Sequence, residues 1–163
     1  MTMQKITPFL WFDSQAEDAA KFYVSVFRDA AIGTIARRSA ETGAHTGKAA
    51  GSVLTVAFTL NGQQFVALNG GPHFEINEAV SFVVNCESQE EVDYYWDKLS
   101  ADGPVAAQQC GWLKDRYGLS WQIVPTVLPE LMGGGDAAKS QRVMQALLQM
   151  KKIDIASLRK AAD

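Results

Sequence analysis

Cysteine is scarce: the chain has Cys86 and Cys110 only, far apart and without a Cys-x-x-Cys spacing. That excludes a disulfide framework and a zinc-ribbon arrangement, and two reduced thiols are expected. A strong charge of either sign is also missing. Fifteen Lys and Arg against 18 Asp and Glu leave a formal net charge of −3, with no global attraction to nucleic acid or to an anionic membrane. The basic pairs Arg37-Arg38 and Lys151-Lys152 read as solvated surface. No apolar run could span a bilayer as a helix; the longest lies around Ser52 to Leu60. The N-terminal residues lead straight into Ile6-Thr7-Pro8-Phe9-Leu10-Trp11-Phe12 without the pattern of a secretory signal, so a cytoplasmic location is expected.

What is present is ordinary globular material. Of 163 residues, 47% are hydrophobic and 20% charged, which suits one domain. A domain of this size buries roughly 70% of the surface its unfolded chain exposes, so it needs no covalent or metal staple.

Apolar periodicity divides the chain. Ile6 to Phe12 reads as a strand, and Ser14-Gln15-Ala16-Glu17 reads as a capping box opening a helix. In that helix Ala19, Phe22, Tyr23, Val26 and Phe27 recur at three- and four-residue steps and form one face. Ala30 to Arg37 is a strand, Ser39 to Gly51 a loop, and Val53 to Leu60 a β-branched strand. Asn61-Gly62 then makes a tight hairpin turn into Gln64 to Leu68.

After the break at Asn69-Gly70-Gly71-Pro72-His73 the pattern restarts. Ala79 to Cys86 is a strand, and Ser88-Gln89-Glu90-Glu91 is a second capping box. Val92, Tyr95, Trp96 and Leu99 form the second helical face, with Gly103 as its left-handed cap. Strands are expected at Val105 to Gln109, Gly111 to Asp115 and Ser120 to Pro125. Asp13-Ser14-Gln15-Ala16-Glu17 and Glu87-Ser88-Gln89-Glu90-Glu91 occupy the same place in each half, so the chain is an internal repeat. The expected class is α+β: two βαβββ modules, about 4–70 and 79–126, in one domain spanning 1–163. A helical tail follows at about 128–163. Its Leu131-Met132-Gly133-Gly134-Gly135-Asp136 is a hinge and cap, and Val143, Met144, Leu147, Leu148, Ile153, Ile155 and Leu158 must cover the sheet or a partner subunit.

Beyond the repeat, the chain carries Leu68-Asn69-Gly70-Gly71-Pro72-His73-Phe74, Ser81-Phe82-Val83-Val84-Asn85-Cys86 and Cys110-Gly111-Trp112-Leu113-Lys114-Asp115-Arg116-Tyr117-Gly118. With the Ile6 to Phe12 strand and the tail motif Met150-Lys151-Lys152-Ile153-Asp154-Ile155, these residues resemble the PhnB-like, demethylubiquinone methyltransferase-like family. That family belongs to the vicinal oxygen chelate superfamily, with glyoxalase I, extradiol dioxygenases and antibiotic-resistance proteins. The resemblance implies two half-barrels of sheet enclosing a cavity, and a homodimer.

The superfamily's metal-dependent members place a His, Glu or Gln on the first and last strands of each module. The repeat alignment puts Thr7, Val66, Ser81 and Gln122 there, with Pro8 and Ala67 as one-residue neighbours of the first two. Only Gln122 is a metal ligand type, so no metal is expected. His73 with Glu75 or Glu78 is the remaining metal candidate and His45 a weaker one; solvated loop residues are the simpler reading of both. A methyltransferase using S-adenosylmethionine needs a Gly-rich strand-to-helix turn, whereas Gly133-Gly134-Gly135 opens a late helix. The family label is therefore not taken as a mechanism, and no cofactor is expected.

The remaining candidates are polar handles around a cavity. Thr7, Asn69, His73, Asn77, Ser81, Trp112 and Gln122 are candidate ligand-binding residues, and His73, Gln122 and Asp115 the candidate catalytic ones. Trp11, Phe65 and Trp121 are walls or core, and Asp115-Arg116 a turn residue with its ion-pair partner. Cys110 has no neighbouring base that would make it a nucleophile. Three readings stay open: a small-molecule binding protein with a metal-free cavity, a superfamily enzyme acting on a small oxygen-rich substrate, and a protein whose tail serves mainly dimer assembly. Neither nucleic acid nor membrane is an expected partner.

Overall fold

The computed structural model describes residues 4–163. The chain divides into two compact units, one ending at Ile76 and the other running Asn77–Asp163. Both are α+β, each with one small mixed sheet, and the second unit carries the C-terminal helices.

In the first unit the strands are β1 (Phe9–Phe12), β2 (Ala30–Arg37), β3 (Val53–Leu60) and β4 (Gln63–Asn69), ordered β1-β4-β3-β2. β1 runs parallel to β4, and the other pairs are antiparallel. Helix α1 (Ala16–Val26) covers one face. Strand alternation sends Leu10, Phe12, Val56, Phe58, Leu60, Phe65 and Ala67 to that face, all buried. Phe58 stacks between Tyr23 of α1 and Phe65, with centroids 6.0 and 5.3 Å away. Asn61 and Gly62 both have positive φ, 48° and 76°, as a two-residue hairpin turn requires.

Four expectations change here. The first strand begins at Phe9, and the side-chain amide of Gln4 bonds both main-chain groups of Gln64 on β4. The Ser14 capping box does not form. Gln15 is the cap residue without a side-chain bond, and the Ala16 N–H donates instead to Asn69 Oδ1 at 2.8 Å. The Ser39–Gly51 loop contains helix α2 (Ala40–Thr46), capped by Ser39 Oγ and ended by Gly47 at φ 66°. Arg38, expected in solvent, is 4% exposed.

The second unit has β5 (Ser81–Cys86), β6 (Trp112–Lys114) and β7 (Ser120–Pro125), ordered β5-β7-β6 with β5 parallel to β7. Helix α3 (Gln89–Ser100) opens with the expected Ser88 cap: Ser88 Oγ accepts from Glu91 N, while Glu91 Oε2 reaches one residue past the cap and accepts from Glu87 N. Val92, Tyr95, Trp96 and Leu99 are buried, and α3 covers the sheet face formed by Val84, Cys86, Leu113, Trp121 and Ile123. Two expectations change. Val105–Ala107 is a single 3-10 turn, so the second copy has one strand fewer. Asp102, not Gly103, takes the left-handed conformation. Gly103 is required for another reason: a Cβ there would collide with the Lys114 carbonyl oxygen.

The tail comprises α4 (Val127–Met132), α5 (Ala137–Leu148) and α6 (Ile155–Ala162). Asp136 and Asp154 cap the last two. Val143, Leu147, Ile153 and Leu158 form a buried cluster within this unit, while Met144 and Leu148 stay exposed. The main-chain N–H groups of Cys110 and Gly111 donate to Met150 O and Lys151 O and fasten the tail to the start of β6. Among the described residues no helix is long and apolar enough to cross a membrane.

Candidate functional site

The face of the second sheet turned away from α3 brings three expected residues together. Gln122 on β7 stands opposite Trp112 on β6. It is also opposite Val83 on β5, two positions along from Ser81. The side chain of Gln122 donates from Nε2 to Ser81 Oγ at 2.9 Å. Ser81, Trp112 and Gln122 are all half-buried, and Val83 between them is 49% exposed. The result is an apolar patch on which the Gln122 amide oxygen, its second N–H and the Ser81 hydroxyl hydrogen can recognise a ligand.

The first sheet repeats this register. Phe9 opposes Val66, so Thr7 stands two residues upstream of that pair as Ser81 does in the second unit. Ala57 opposes Val66 as Trp112 opposes Gln122. These positions are thus equivalent in the two sheets. The first unit offers a half-buried Thr7 and an apolar Val66 there.

The other candidates have particular surroundings. Asn69 is buried, accepting from Ala16 N and donating to Val53 O at 3.2 Å, so its amide holds the start of α1. Asp115 is 1% exposed. Its Oδ1 accepts from the N–H groups of Tyr117 and Leu119, and its Oδ2 accepts from Trp121 Nε1 at 2.8 Å. Arg116 pairs with Asp102 at 3.0 Å. His73, Glu75 and Asn77 are exposed, and Asn77 Oδ1 accepts from Ala79 N in a local turn. Glu78 forms an ion pair with Lys114, which lowers the Glu78 carboxyl below its ordinary range through the side-chain hydrogen bond from Lys114. Trp11 donates to Gly71 O at 2.9 Å and meets Phe74 edge-on, bracing the Gly70-Gly71 bend. Phe65 and Trp121 are buried core; Cys110 is half-buried and His45 exposed.

Two cofactor fits can be tested on these positions. A superfamily-type metal would require ligands at Thr7, Val66, Ser81 and Gln122, and Val66 has no donor atom while Thr7 and Ser81 offer only neutral hydroxyls. Among the described residues no three His, Cys, Asp or Glu side chains converge elsewhere. The positions do not fit a metal. For a nucleoside methyl donor, Gly133–Gly135 lies between α4 and α5, not after a strand, and a Cβ on Gly133 would press on Pro129 O at 3.1 Å. That stretch is a helix-to-helix turn and does not fit a cofactor loop.

Comparison with known proteins gives a consistent set. Residues 4–124 match the family model described as 3-demethylubiquinone-9 3-methyltransferase. The chain is similar to the structure of a PhnB protein from Bacillus cereus, with 36% identity, 76% of this chain and 100% of that one covered, and a TM-score of 0.65. A Staphylococcus aureus protein is 30% identical over 76% of this chain and 97% of its own, with a TM-score of 0.34. A Pseudomonas aeruginosa protein shares the fold at 16% identity, 76% and 98% coverage and a TM-score of 0.56. No curated protein matches the chain.

Proposed function

Since the chain belongs to the PhnB-like family described as 3-demethylubiquinone-9 3-methyltransferase, within the vicinal oxygen chelate superfamily, we propose that it binds a small organic molecule at Ser81, Trp112 and Gln122 without a metal. The observation that carries this reading is the Gln122–Ser81 hydrogen bond on a half-buried sheet face beside Trp112. A preset amide–hydroxyl pair fixes the direction in which an oxygen-bearing ligand is bonded, and the indole supplies apolar area. Methyl transfer is not part of the proposal, because the glycine turn does not fit the donor.

Binding without chemistry is favoured over catalysis by the state of the candidate groups. The oxygens of Asp115 are occupied by two backbone N–H groups and an indole, and His73 lies in an exposed loop. The test is a thermal-shift screen of metal-stripped protein against small oxygen-rich organic compounds. A hit should raise the melting temperature saturably, be recovered unchanged by mass spectrometry and lose its effect in Gln122→Val. A hit that acts equally on Gln122→Val and Trp112→Ala would overturn the site, and a hit recovered chemically altered would overturn binding without catalysis.

A further inference from the structure

A second site lies in the first unit. At the N-terminal end of α1 there is a cavity of about 440 Å³. Buried Arg38 and Asn69 contribute to its floor, and Ser14, Asp18 and the half-buried Glu17 and Lys48 to its rim.

Arg38 is held there by its backbone: its N–H donates to Ser52 O, and its carbonyl accepts from Gly51 N. The guanidinium then donates from Nη1 to Ser52 Oγ at 3.1 Å and to Val53 O at 2.9 Å, and from Nη2 to Asn69 O. All three acceptors are neutral. Nε is buried and has no acceptor. Of the five N–H donors, Nε–H and one on Nη2 remain without an acceptor.

Arginine stays charged at any physiological pH, so it cannot relieve burial by losing a proton. A buried cation calls for a counter-charge. Among the described residues no carboxylate forms an ion pair with Arg38. Glu17 pairs with Lys21 at 2.8 Å, and Asp13 lies 3.5 Å from Lys48. The first turn of α1 adds the positive end of a helix dipole. Glu17 and Asp18 on the rim oppose multiply charged ligands and favour a single negative charge.

We propose that this cavity binds a small oxyanion, a carboxylate or a phosphate group, paired with the Arg38 guanidinium and attracted by Lys48. The site is independent of Gln122. The experiment follows the Arg Nε–H signals of the ¹⁵N-labelled full chain by NMR, with Arg38→Lys assigning the Arg38 signal. Sodium acetate and inorganic phosphate are titrated separately against sodium chloride at matched ionic strength. The expected result is a saturable shift of the Arg38 signal with acetate, phosphate or both, and none with chloride. The anion that saturates lower identifies the preferred head group. Lys48→Ala, a change at a half-exposed position, should weaken that binding by about two- to fivefold. Absence of a saturable shift with either anion, an equal response to chloride, or unchanged affinity in Lys48→Ala would overturn the proposal.

Discussion

The two sheets hold their strands in the same register and differ in what stands on it. Where the first unit has Ala57 opposite Val66, the second has Trp112 opposite Gln122. Where the first has Thr7 upstream, the second has Ser81 within bonding distance of the glutamine. The repeated scaffold thus keeps its backbone positions while only one copy carries an amide and an indole. The copies differ in their supports as well. α1 is held by Asn69 from the end of β4, and α3 by its own Ser88. The β3–β4 turn needs only Asn61 and Gly62, whereas the β6–β7 turn closes around the buried Asp115. An internal acceptor stabilises a longer turn that sequence-local geometry would leave loose.

The largest effect expected from breaking this contrast is at Asp115. Asp115→Ala removes the acceptor that serves the Tyr117 N–H, the buried Leu119 N–H and the buried Trp121 indole N–H, and should cost about 3 kcal/mol or more in urea unfolding. Asp115→Asn should not restore it, since an amide turned to serve the backbone presents its NH₂ to the Trp121 N–H. Asn61→Ala, at the corresponding turn of the first unit, should cost about 1 kcal/mol through its positive φ. The helix caps come next. Asn69→Ala should cost about 2 kcal/mol and Ser88→Ala about 1, while Ser14→Ala stays within about 0.5 kcal/mol of the parent. A Ser14 variant as damaging as the Ser88 one would restore the local capping box to α1.

The two thiols sharpen the comparison within the second unit. Cys86 is buried under α3, and burial, then the charge of Glu91, pushes its thiol up to about 12. Iodoacetamide at pH 8 should alkylate native protein at Cys110 only, with Cys86 reacting after denaturation; mass spectrometry of peptides decides. Because the native pKa lies above the unfolded one, this thiol's contribution to stability is intact below about pH 9 and lost between there and about 12. Denaturant midpoints should fall over that interval, and fall less in Cys86→Ala. A small effect on stability is also expected from Gln122→Val, which gives the second sheet the valine of the first at that position. It should unfold within about 1 kcal/mol of the parent and yet fail to respond to the ligand.

The repeat was readable because strand alternation and helical periodicity are one-dimensional signals. The repeat alignment also matched the strand positions of Ser81 and Gln122 to those of Thr7 and Val66, since equivalent strands keep one register. Other features depend on the third dimension. Ser14-Gln15-Ala16-Glu17 has the composition of a capping box, but Asn69, 53 positions along the chain, reaches the Ala16 N–H instead. Helix α2 was hidden by its Gly, Ala and Thr content, although Ser39 and Gly47 mark its two ends. Val105 looked like a strand start, yet the turn opened by Pro104 closes as 3-10. Arg38 read as surface beside Arg37, because nothing local tells which of two neighbouring arginines turns inward. Asn69 and Asp115 look like ligand handles in a sequence; which backbone donors they serve is a matter of packing.

The proposed site of the second sheet works without a metal. The most direct test of this is a thermal-shift titration of metal-stripped protein with Mg, Mn, Co, Ni and Zn ions, run beside Gln122→Val. The expected result is no saturable rise in melting temperature for any ion in either protein. A saturable rise that disappears in Gln122→Val would contradict it and make Gln122 a metal ligand.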